Sequence, residues 1–144
     1  MTRVSPPPIT DNLFETDTLK PTISWTLFFS QIYTGDTGSD WTPNFVNLTT
    51  VGTPTITGRV YRIGTSLAYF SLTITPSTST SSTAGTTYID NLPVQPKTGG
   101  FCVALSGGLG DGPGMIDAST NRVYVPSWAA VTIPLVVIGV CEIQ

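Results

Sequence analysis

From Trp41 onward, apolar and polar residues alternate with a period of two, the spacing of strands that bury one face. The clearest case is LAYFSLTIT, residues 67–75. Ala68, Phe70, Leu72 and Ile74 share one face there, and Tyr69, Ser71, Thr73 and Thr75 the other. The same pattern predicts strands over 44–51, 55–63, 86–91, 101–106, 114–117, 122–126 and 131–143. Residues 64–66 (GTS) and 118–121 (ASTN) read as the turns of two hairpins. Residues 75–87 (TPSTSTSSTAGTT) predict a long exposed loop or the frayed ends of two strands. SGGLGDGPG, residues 106–114, predicts a loop, because a phosphate-binding loop needs a lysine and a following helix, and neither is present. Short strands punctuated by Gly and Pro predict an all-β fold, an antiparallel β-sandwich with jelly-roll-like packing, over residues 36–144.

The first 35 residues break this pattern. Trp25, Phe28, Phe29, Ile32 and Tyr33 recur at the spacing of one helical face. Pro21 suits the first turn of that helix and Gly35 its C-terminal cap, which predicts a short amphipathic helix over 21–35. Ile23, Trp25, Leu27 and Phe29 also alternate, so a strand stays open. A helix this short is marginal alone, and hiding its large side chains is worth roughly 1.5–3 kcal/mol each. Its cover is the chain's own sheet, a sister subunit or a larger assembly. Residues 1–20 contain Pro6, Pro7, Pro8 and Ile9 and predict an extended arm that lies on another protein, or a tail.

Composition narrows the function. Charged residues make up 10% of the 144-residue chain, against ~25% in an average domain, so Thr and Ser carry solubility. The net charge is −3 and the six cations are scattered, which argues against nucleic-acid binding. Arg59 and Arg62, an odd number apart, are expected on opposite faces of one strand, one of them partly covered and pairing with an acid across an interface. No apolar run in MTRVSPPPITDN resembles a signal peptide, so export is not expected. VTIPLVVIGVCEI is too short for a bilayer span, which needs ~20 residues, and Pro134 interrupts it, so membrane insertion is not expected. Cys102 and Cys141 sit in apolar runs and read as buried free thiols, with a disulfide as the alternative.

Candidate chemistry is sparse. Histidine is absent, which removes the commonest general base and imidazole ligand. Asp36 and Asp40 read as turn or cap residues, since their spacing does not match a calcium loop. Asp111 and Asp117 would have to converge to act as an acid–base pair, and nothing in the sequence brings them together. The serines have neither a nucleophile elbow nor a histidine to activate them. A non-enzyme without cofactor or metal is expected. Tyr124 and Trp128 are the candidate ligand-contact aromatics, with core or interface packing as the ordinary role for both.

Several phrases carry a resemblance. WTP at 41–43, GTPTITGRVYRIG at 52–64, YFSLTITP at 69–76 and STAGTTYIDNLP at 82–93 resemble the small β-domains of tailed-bacteriophage tail-fibre and virion-surface proteins. The matching residues are Gly58, Tyr61, Arg62, Ile63 and Gly64, then Tyr69 and Phe70, then Ile89, Leu92 and Pro93. The resemblance covers about residues 20–144, and its motifs mark structure rather than a site. It implies a homotrimer of β-sandwich subunits in the virion, assembled in the bacterial cytoplasm and mounted on other virion proteins through its amino terminus. The β-domain would then contact a host-surface glycan or receptor. Trp25, Phe28, Phe29, Ile32 and Tyr33 would form the oligomer or docking interface. Capsid decoration by the same fold, or a stand-alone carbohydrate-binding module, are the alternatives. No repetitive shaft is present, so a long reach is not implied.

Overall fold

A computed structural model describes residues 38–107 and 109–144. The expected arm (1–20, with Pro6, Pro7, Pro8 and Ile9), the expected helix (21–35, with Trp25, Phe28, Phe29, Ile32 and Tyr33) and Asp36 lie outside the described residues. The regular structure that is described is entirely β. The strands are β1 (Ser39–Trp41), β2 (Phe45–Val46), β3 (Thr49–Val51), β4 (Thr55–Ile63), β5 (Leu67–Thr75) and β6 (Ser79–Ser82). They continue as β7 (Tyr88–Ile89), β8 (Pro96–Ser106), β9 (Leu109–Asp117), β10 (Arg122–Tyr124), β11 (Trp128–Val131) and β12 (Leu135–Ile143).

Nine strands form one antiparallel sheet in the order β1-β4-β5-β12-β8-β9-β10-β7-β2, and β11-β6-β3 form a second, small sheet. The outermost strands of the large sheet, β1 and β2, are separated in sequence only by residues 42–44. Four Cα steps span at most ~14 Å, so the sheet must curl until its two edges meet. The all-β antiparallel expectation holds at this coarse, sandwich-like level.

Alternation then decides what the curl encloses. On β5, Ala68, Phe70, Leu72 and Ile74 are at most 1% exposed. On the neighbouring β12, Leu135, Val137 and Cys141 face the same interior. Side by side across four strands stand Val60, Phe70, Gly139 and Cys102. A Cβ at Gly139 would lie 2.6 Å from Phe70 Cε1, so the glycine is what admits the ring. Trp41 closes the core edge-on against Phe70, with ring centroids 6.0 Å apart.

Four readings are corrected by the tertiary structure, the first being the strand expected over 131–143: Val131 ends β11 of the small sheet, and β12 of the large sheet begins at Leu135. The single strand expected over 44–51 is two strands in different sheets, because Asn47 adopts φ 60° and turns the chain between them. The low-complexity segment 75–87 contains β6, the central strand of the small sheet. Its hydroxyls serve inside the fold: Ser82 Oγ donates to the Pro126 carbonyl and accepts from the Trp128 amide at 3.1 Å. Most of the glycine-rich 106–114 is β9, paired with β8 past a bulge between Val103 and Leu105. Gly114 belongs there because a side chain would meet the Tyr124 carbonyl and the Cys102 sulfur. The expected turns over 64–66 and 118–121 are both hairpins.

The thiols are free and buried. Cys102 stands opposite Gly139 and Cys141 opposite Gly100, so the two are diagonal neighbours rather than a facing pair. Diagonal Cα atoms on adjacent strands are ~7–8 Å apart, beyond the usual reach of a disulfide.

Candidate interaction surface

The interior of the curled sheet is filled by core side chains, so the candidate surface among the described residues is its outer face. Strand register lines up one outward residue from each of eight strands: Tyr61, Tyr69, Val140, Phe101, Met115, Tyr124, Tyr88 and Val46. None carries a charge. Phe101 and Met115 face each other at the middle of this row, 59% and 56% exposed. A second row contains Ile138, Val103 and Pro113, and a third Val136 and Leu105. The resulting apolar sector covers β12, β8 and the adjoining part of β9. On β4 and β5 the same outer face is polar, with Thr57, Arg59, Ser71 and Thr73.

The aromatic ends of the row are organised. Tyr61 and Tyr69 lie 5.7 Å apart, and Tyr88 and Tyr124 5.4 Å apart. The Arg122 guanidinium stacks 4.4 Å over Tyr88, and hydrogen bonding to Tyr124, then electrostatic attraction to the Tyr88 side chain, raises its pKa. A groove of about 580 Å³ beside Tyr124 is lined by Gly85, Pro113, Gly114, Met115 and Asp117. Asp117 is committed to its own turn: it accepts from the Ser119 amide, the Ser119 hydroxyl and the Thr120 hydroxyl at 2.9, 2.7 and 2.7 Å. Those bonds, the Ser119 hydroxyl first, hold its carboxyl below the ordinary range. A second groove, about 600 Å³, lies over Thr57, Arg59, Tyr61, Ser71 and Thr73.

Two ion pairs flank the sector, and Asp117 and Arg122 stand opposite each other on the same outer side of β9 and β10. Arg59 binds Asp40 at 3.0 Å, and Lys97 binds Glu142 at 3.0 Å. The acid beside Arg59 therefore belongs to the same chain, while alternation places Arg62 on the inward side of β4, opposite Ala68. Lys97, then Thr98, lower the Glu142 carboxyl. Asp111 and Asp117 sit six residues apart on β9. That is ~20 Å along a strand, too far to work as one acid–base pair. Among the described residues, no three His, Cys, Asp or Glu side chains gather as metal ligands.

Of the two aromatics singled out by sequence, Tyr124 is on the surface and Trp128 is buried, 3% exposed. The structure brings Tyr124 to Tyr88, not to Trp128. Sequence reasoning placed Tyr69 on the face opposite the core of β5 but missed Phe101, Met115, Tyr61 and Tyr88 as surface residues. A signal was present: FCVAL and LVVIGV are apolar on both alternating faces, the mark of strands covered on both sides.

Compared with known proteins, the chain matches no family model, no curated protein and no solved structure.

Proposed function

We propose that this chain is a virion structural protein of a tailed bacteriophage. It is a short homotrimeric tail fibre or spike, attached through residues 1–20, that presents its β-domain to the host surface. One observation carries the reading. Among the described residues, two adjoining central strands are apolar on both faces while the core lies on only one of them, which supports a β-domain that is covered from outside. The aromatic phrases of the sequence and the scarcity of charge support the same reading, since interface cores are rich in Tyr, Phe and Met and poor in charge.

Light scattering on the full chain should return three times its 15.3 kDa mass. A mass of one chain at every concentration overturns the trimer. Gold labelling of the carboxyl terminus on intact particles should mark the tail. Label spread over the shell would instead identify a capsid decoration protein of the same fold.

A further inference from the structure

We infer that Asp111 and Gly112 form a site of spontaneous backbone modification, where the folded chain closes a succinimide and reopens it as isoaspartate. The sequence makes the step available. Among the aspartates and asparagines of the chain, only Asp111 is followed by glycine. Glycine has no side chain to hinder its own amide nitrogen as that nitrogen swings toward the neighbouring carboxyl carbon.

The fold leaves the step open. Asp111 and Gly112 lie on β9 where its register with β8 slips: Val103 faces Pro113 and Leu105 faces Gly110. Two residues of β9 therefore stand against Ala104 alone, a bulge that leaves its extra residue unpaired and interrupts the ladder. Gly112 has φ 95°, and no atom beyond its chain neighbours lies within 4 Å of where a Cβ would stand. The carboxyl is uncommitted as well. Asp111 Oδ2 is shut away from solvent and has no hydrogen-bond partner among the described residues. Losing an oxygen there breaks no hydrogen bond. The other described aspartates are held: Asp40 by Arg59, Asp90 by the Asn44 side-chain amide at 2.7 Å, and Asp117 by Ser119 and Thr120.

The chemistry needs only water. The Gly112 amide nitrogen attacks Asp111 Cγ in the carboxylic acid form. The N–Cγ bond forms, the Cγ–OH bond breaks, and the hydroxyl departs with the amide proton as water. Water then reopens the ring at either carbonyl. Opening at Cγ restores aspartate. Opening at the main-chain carbonyl leaves the chain running through Cγ, one methylene longer, with a free α-carboxylate. That methylene lands inside the bulge, so the pairing of Gly100, Phe101 and Cys102 with Ile116, Met115 and Gly114 is kept.

Cleavage by trypsin after Lys97 and Arg122 gives one peptide carrying both Asp111 and Asp117, so each is read against the other. The folded full chain is incubated for several weeks in mildly acidic buffer, beside a sample unfolded in urea. Intact mass should show a species lighter by one water. Electron-transfer fragmentation of the peptide should then place isoaspartate at Asp111. Conversion at Asp117 should be slower by roughly tenfold or more, because hydrogen bonds to its charged carboxylate must break first. Asp111→Glu, whose ring would need one more atom, should keep the circular dichroism and stay unmodified at this position. A native rate within severalfold of the urea rate supports the site. A native rate many-fold below the urea rate, or equal conversion at Asp111 and Asp117 in the folded chain, overturns it.

Discussion

Gly139 and Phe70 show how narrowly single residues are constrained. They face each other across β12 and β5, and the glycine's missing side chain is the space the ring occupies. Gly139→Ala should destabilise the fold by about 1–3 kcal/mol in urea titrations, the usual cost of overpacking. Adding Phe70→Leu should cost less in that background than in the wild type, because the two side chains compete for one volume. Equal costs in both backgrounds would refute the packing account. Cys102 is the second case. Burial pushes its pKa from 9.0 up to about 12, only partly offset by hydrogen bonding near Gly114. Its native thiol therefore holds the proton while the unfolded chain loses it. The sign follows: this contribution to stability is intact below pH 9.0 and fades as pH rises toward about 12. Cys102→Ala should flatten that alkaline decline in melting temperature. At neutral pH a thiol reagent should label Cys102 only as fast as the protein opens, and rapid labelling of the native state would contradict the burial argument.

At the scale of elements, the closure of the large sheet depends on Asn91. Its side chain accepts from the Trp41 ring N–H at 3.3 Å and the Asn44 amide at 2.7 Å, and donates to the Thr42 carbonyl at 2.9 Å. These bonds tie the β1–β2 connection to the segment after β7. Asn91→Ala should cost only about 1 kcal/mol, because water can replace exposed bonds. Hydrogen exchange at the Asn44 amide should nevertheless accelerate well beyond that of β5 and β12. Uniform exchange across the sheet would show that the edges are held elsewhere. The hairpins over 64–66 and 118–121 were legible because turn chemistry is local. Strand β6 was not legible, since nothing in STSS says that its hydroxyls will find Pro126 and Trp128, 44 and 46 residues away. Asn47 is a middle case: asparagine tolerates its left-handed backbone, but only the two sheets explain why the strand breaks there.

At the scale of the whole molecule, an assembly held by apolar burial should respond to salt differently from one held by ion pairs. Raising salt from about 0.05 to about 0.5 M screens exposed charges but leaves apolar burial in place. The dissociation concentration should therefore stay level or fall, as sedimentation would record. A steep rise would assign the contact to Arg59, Lys97 and their acids instead. The candidate surface itself was half legible. Tyr124 was picked out by sequence, whereas its neighbours along the row come from seven other strands that only register aligns.

Sequence alone determined the all-β class, the inward face of β5, the two hairpins and the burial of both cysteines, because each follows from period-two alternation or from a turn's local backbone needs. Tertiary structure decided the strand order, the curl that joins β1 to β2, the separation of Cys102 from Cys141 and the outer row from Tyr61 to Val46. Those depend on which residues stand opposite one another across strands, a register set by contacts between distant parts of the chain and written in no single segment.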